Sequence, residues 1–122
     1  MKKILIVEDV ELNRDFFEQL LEEDYRTVTA SDGAAAIEAA EREQPDLILM
    51  DLSLPVIDGW EATRRIKAAE HLAHIPVIAL TAHAMQGDEE KARASGCDGY
   101  LSKPIDEDIM FATLRRFLGE DD

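Results

Sequence analysis

The 122-residue chain fits one compact domain and leaves no room for a second. Apolar residues make up 46% and charged residues 33%, an ordinary globular composition, and no apolar run approaches the ~18 residues a membrane span needs. The net charge of −14 would repel a phosphate backbone, which speaks against direct nucleic-acid binding, and the lone Cys97 excludes an internal disulfide and suits a reducing cytoplasm.

The chain opens with Lys2 and Lys3 before the short apolar run Ile4-Leu5-Ile6-Val7, too few residues for the core of a secretory signal. Residues 3–7 read as a buried strand. Residues 11–23 read as a helix in which Phe16, Phe17, Leu20 and Leu21 form one inward stripe, with Leu12 about 100° away from it. A weaker alternating strand at 26–30 leads into the turn Ser31-Asp32-Gly33, which also supplies an N-cap for a helix over 34–43. Residues 46–50 form a second strongly apolar strand between Pro45 and Asp51. A helix over 59–70 and a strand over 76–80 follow. Residues 88–95 form a short helix stopped by Gly96, its inward candidates being Ala84, Met85, Ala92 and Ala94, with Gly87 near its start. So little apolar area suits a segment that shifts at low cost. Tyr100 and Leu101 centre a fifth strand. The last helix, over 106–118, turns Met110, Phe111, Leu114, Phe117 and Leu118 inward and leaves Ile109 pointing away.

Strands alternating with helices imply βαβ units. The expected fold is therefore α/β, a three-layer doubly wound domain around a five-stranded parallel sheet of flavodoxin-like type, with the strands starting at 3 and 46 central. The domain is expected to span 1–119, with 120–122 as a short acidic tail. In this architecture ligands bind beyond the C-terminal strand ends. Glu8-Asp9 follow the first strand, Asp51 the third, Thr81-Ala82 the fourth, and Ser102-Lys103-Pro104 the fifth.

Carboxylates gathered at one edge repel one another and titrate as a coupled set. A hard divalent cation removes that conflict, and oxygen-only ligands select magnesium, or manganese, over zinc. The cation would neutralise charge on a phosphoryl group whose other oxygens Lys103 and Thr81 can hold. Taken singly, Glu8-Asp9 read as helix caps and Thr81 as a turn hydroxyl; the joint placement points to magnesium-assisted phosphoryl binding or transfer.

The segments Ile4-Leu5-Ile6-Val7-Glu8-Asp9, Pro45-Asp46-Leu47-Ile48-Leu49-Met50-Asp51, Leu54-Pro55 with Asp58-Gly59, Leu80-Thr81-Ala82 and Tyr100-Leu101-Ser102-Lys103-Pro104 resemble, in this order, the response-regulator receiver family of two-component signalling. The resemblance covers essentially the whole chain. It implies that Asp51 is the phosphoacceptor for a phosphohistidine or small acyl phosphate, and that Glu8, Asp9, Asp51 and the backbone carbonyl of Ser53 hold the metal. It also implies that Lys103 pairs with the phosphoryl group, that Thr81 is the switch hydroxyl, that Tyr100 rotates inward, and that Lys103-Pro104 is a cis peptide. Ser53 and His83 fall where family members vary and phosphoryl lifetime is tuned, and Glu8 stands where an Asp is common. Stretches such as Gly96-Cys97 and Lys103-Pro104-Ile105 look like single-domain regulators of the DivK type; receivers at the end of hybrid histidine kinases look similar.

The expected partners are a histidine kinase or histidine phosphotransfer protein, near Glu11, Leu12 and Asn13, and a downstream protein on the face of the fourth helix, fifth strand and fifth helix. The expected role is a cytoplasmic signalling phosphoacceptor rather than an enzyme acting on a separate substrate. A phosphohydrolase of the haloacid dehalogenase type also uses a strand-end Asp and magnesium. It wants a second carboxylate two residues on, where this chain has Ser53, and a cap domain for which there is no room. A receiver-like binding module that takes no phosphate is opposed by the intact Glu8, Asp9, Asp51, Thr81 and Lys103. A dinucleotide site is excluded because no Gly-rich turn follows the first strand. His71 and His74 lack partners for a metal site, and Cys97 reads as a packing residue.

Overall fold

The computed structural model describes residues 1–52, 54, 57–81 and 88–119. Short runs form the strands, and the central ones are apolar on both faces and covered by helices on both sides. The strands are β1 (Lys3–Val7), β2 (Arg26–Ala30), β3 (Leu47–Asp51), β4 (Val77–Thr81) and β5 (Gly99–Ser102). The helices are α1 (Glu11–Leu21), α2 (Gly33–Glu43), α3 (Gly59–Ala68), α4 (Asp88–Ser95) and α5 (Glu107–Leu118). All strand pairs are parallel, in the order β2-β1-β3-β4-β5. The expected doubly wound α/β fold is present, with β1 and β3 adjacent.

Alternation along the strands divides the core in two. Leu5, Val7, Ile48, Met50 and Val77 face α2 and α3 through Ala36, Ala39, Ala40, Ala62 and Ile66. Ile4, Ile6, Leu47, Leu49, Ile78 and Leu80 face α1 and α5 through Phe17, Leu21, Met110, Leu114 and Leu118. The small residues of α2 let that helix lie close to the sheet. Aspartates at the N-caps, Asp32, Asp58 and Asp106, accept from the N–H groups of Ala35, Glu61 and Ile109 and so start three of the helices.

Two expected inward positions are corrected. Phe16 is 46% exposed while its neighbour Phe17 is buried, because residues 100° apart cannot both centre one stripe. The two rings still meet edge to face at 5.5 Å. Ala94 is also exposed rather than inward. The side chains of Ala84, Met85 and Ala92, and all of Gly87 and 120–122, lie outside the described residues. The first and third helices end two residues earlier than expected, at Leu21 and Ala68; Ala69 has already turned to extended backbone at φ −86°, ψ 115°.

Connections run outward in opposite directions from β1 and β3, so the chain's topological switch lies between these two strands. Their C-terminal ends are where a ligand site is built in such sheets.

Candidate functional site

Parallel strands end on one edge, and this brings distant residues together. Glu8 and Asp9 leave β1, Asp51 closes β3, Thr81 closes β4, and Lys103 follows β5. Glu8 and Asp51 are buried, at 1% and 4% exposure, whereas Asp9 is exposed. One carboxylate oxygen from each of the three lies within 4.8 Å of the others. Such an all-oxygen set suits a hard divalent cation. Among the described residues this is the one group of His, Cys, Asp and Glu that could hold a metal.

Lys103 brings a positive charge against that set. Its Nζ donates to Glu8 Oε2 at 3.3 Å and to Asp51 Oδ2 at 3.4 Å. Its backbone N–H donates to the carbonyl of Thr81 at 2.7 Å, where β4 and β5 run out side by side. The Lys103-Pro104 peptide is cis, as the family resemblance implies. Thr81 is buried at the same edge.

Glu8 is fixed from α1. Its Oε1 accepts from the Val10 N–H at 3.3 Å and from Asn13 Nδ2 at 3.1 Å, while Arg14 Nη1 donates to the Glu8 carbonyl at 2.8 Å. Neither Glu8 nor Asp9 caps α1, whose N-cap is Val10 without a side-chain bond. Burial pushes the Glu8 carboxyl above its ordinary value, and the adjoining Asp51 carboxyl adds to this. The Asn13 amide and the Lys103 ammonium pull it back.

The backbone at Asp51 is set by a close approach. Gly59, the first residue of α3, lies so near that a Cβ there would collide with the Asp51 carbonyl oxygen and come within 2.7 Å of Leu52 Cα. The next residue, Trp60, packs with Tyr100 and Cys97 against Leu52 and Ala79. Tyr100 is half-buried in a small cluster that begins at the residue after Asp51. Ser53 and His83 lie outside the described residues.

The hold of Asn13 on Glu8 is not among the expectations drawn from the sequence. The available signal was an amide five positions after Glu8, at the start of the following helix. His71 and Cys97 have local uses. His71 Nε2 lies 2.6 Å from Glu41 Oε2. Cys97 has Ser95 and Thr63 hydroxyls at 3.8 Å, and burial pushes its thiol up, away from thiolate chemistry. Beside the carboxylates, a groove of about 270 Å³ is lined by Asn13, Phe16, Phe17, Lys103, Pro104 and Ile105. Leu12 and Ile109 stand out at 79% and 58% exposure. No described helix is long and apolar enough to cross a membrane.

Known proteins resemble this chain over nearly its whole length. A family model described as the response regulator receiver domain matches residues 4–115. The polar-differentiation response regulator DivK of Brucella ovis is 47% identical over 120 residues, covering 98% of each chain. The receiver domain of a sensor histidine kinase of Pseudomonas aeruginosa, crystallised with magnesium coordinated in its active site cleft, superposes with a TM-score of 0.91 at 43% identity, covering 97% of this chain and 98% of that one. A Saccharomyces cerevisiae receiver domain, co-crystallised with its histidine phosphotransfer protein, superposes with a TM-score of 0.88 at 30% identity, covering 95% of this chain and 88% of that one.

Proposed function

The chain belongs to the response regulator receiver family, and from that premise we propose that Asp51 accepts a phosphoryl group from a phosphohistidine and that the modification switches a protein–protein surface or is passed onward. The observation that carries this is the convergence of Glu8, Asp9, Asp51 and Lys103 at one strand edge, with acidic oxygens within 4.8 Å of one another. Magnesium, or manganese, held by Glu8, Asp9, Asp51 and the backbone carbonyl of Ser53, would neutralise charge on the phosphoryl oxygens.

An Oδ of Asp51 forms the new O–P bond as the P–N bond of the donor breaks, and the electron pair returns to the imidazole nitrogen. Lys103 then transfers its ammonium from Asp51 to a phosphoryl oxygen. Its present contacts of 3.3 and 3.4 Å are long beside the about 2.7–2.9 Å of a good charge-assisted bond, so they are readily exchanged. The Thr81 hydroxyl takes another oxygen, and Tyr100 turns inward as Thr81 moves. Packing of Tyr100 in the cluster that starts at Leu52 supports this link. The domain, spanning 1–119, works in the cytoplasm and catalyses only its own phosphorylation and dephosphorylation.

The donor, a histidine kinase or phosphotransfer protein, docks beside α1, a reading supported by the exposed Leu12 and the adjacent groove. The yeast relative's pairing with a phosphotransfer protein supports the same partner class. The output face is α4, β5 and α5, with Ile109 exposed upon it. Incubation with a histidine-phosphorylated phosphotransfer protein tests the reading. Label should move to this chain, and label that stayed on the donor in the presence of magnesium would exclude it.

A further inference from the structure

We propose that Asn13 is a positioning residue for the metal site, its side-chain amide holding the Glu8 carboxylate so that Oε2 faces Asp51. This rests on the reading of Glu8, Asp9 and Asp51 as magnesium ligands. Glu8 reaches the site through one more rotatable bond than an aspartate has, so its carboxylate needs an external hold to present one oxygen reliably. The two oxygens are divided between two tasks. Oε1 accepts from Asn13 Nδ2 at 3.1 Å and from the Val10 N–H at 3.3 Å. Oε2 is turned the other way, 3.3 Å from the same Lys103 ammonium that lies 3.4 Å from Asp51 Oδ2. Oε2 is thus the oxygen available to the acidic cluster, and Asn13 occupies the other.

Asn13 has no part in the core. It is exposed and lies in the first turn of α1, three residues after the N-cap Val10. The adjacent Arg14 holds the Glu8 carbonyl at 2.8 Å, so the first turn of α1 fixes both the backbone and the side chain of this one residue. A partner that orients a ligand without touching the metal acts on affinity through geometry.

The test is magnesium affinity of the unphosphorylated chain, measured by calorimetry for wild type, Asn13→Ala, Glu8→Asp and the double variant, with the melting temperature of each metal-free protein. Asn13→Ala should bind magnesium about tenfold more weakly while the metal-free chain still melts as a folded domain. A shorter Asp at position 8 no longer reaches Asn13, so adding Asn13→Ala to Glu8→Asp should change affinity by less than about twofold. An affinity of Asn13→Ala within about twofold of wild type, or an equal loss in both backgrounds, would overturn the proposal. A wild-type chain that bound no magnesium would instead overturn the metal reading on which the proposal rests.

Discussion

The ammonium of Lys103 lies 3.4 Å from Oδ2 of Asp51, across 52 residues of chain, and bridges it to Glu8 at 3.3 Å. Two buried carboxylates side by side repel each other, and the Lys103 ammonium lies where it offsets this repulsion. Its side chain is 29% exposed, so water screens the attraction and the hold is weak. A weak internal counter-ion can be displaced by a divalent cation and then serve an incoming phosphoryl group.

Replacing that counter-ion should separate its roles. Lys103→Ala should destabilise the metal-free chain by on the order of 1 kcal/mol, because Glu8 and Asp51 lose their shared cation. It should strengthen magnesium binding, since no ammonium competes for the same oxygens. Labelling by acetyl phosphate should slow by about 100-fold or more, because a phosphoryl oxygen loses its charged partner. Urea melts, calorimetry and label incorporation read these effects, and labelling at the wild-type rate would contradict them.

The raised Glu8 pKa sets a pH dependence. The folded metal-free chain keeps a proton on Glu8 at pH values where the unfolded chain has lost it, so its contribution to stability is full below the ordinary value of 4.5 and is lost as pH rises through the raised value. Magnesium binds the ionised form. Its stabilising shift of the melting temperature should therefore grow from acidic to mildly alkaline pH. An equal shift at both ends of that range would count against the site.

Leu12 offers a test of donor docking that leaves the chemistry intact. At 79% exposure it makes little contact with the fold, so Leu12→Arg should change stability by no more than about 0.5 kcal/mol. Phosphotransfer from the cognate histidine donor should fall by about tenfold or more, as expected of a truncated interface anchor, while labelling by acetyl phosphate stays at the wild-type rate. Equal rates from the protein donor would remove Leu12 from the docking face.

Much of this was legible in the sequence because it follows from period and order. Apolar strands ending in Glu8-Asp9, Asp51, Thr81 and Ser102-Lys103 place those residues on one edge of any parallel sheet. What depends on three-dimensional packing was not legible. The choice of Phe17 over Phe16 as the buried ring turns on where the stripe of α1 is centred against β1. The reach of Asn13 back to Glu8 depends on the turn between β1 and α1. Lys67 is a further case: its Nζ donates to the carbonyls of Ala73 and Ile75 and pairs with Asp98 at 2.7 Å, joining α3 to the approaches of β4 and β5. No local pattern marks a lysine for that use.

The most direct measurement is site-mapped label incorporation from acetyl phosphate, comparing wild type with Asp51→Ala, each with magnesium and with the metal chelated. The account predicts label on residue 51 alone, present only when the carboxylate and the metal are both there. Label of normal extent in Asp51→Ala, or in chelated wild type, would contradict it.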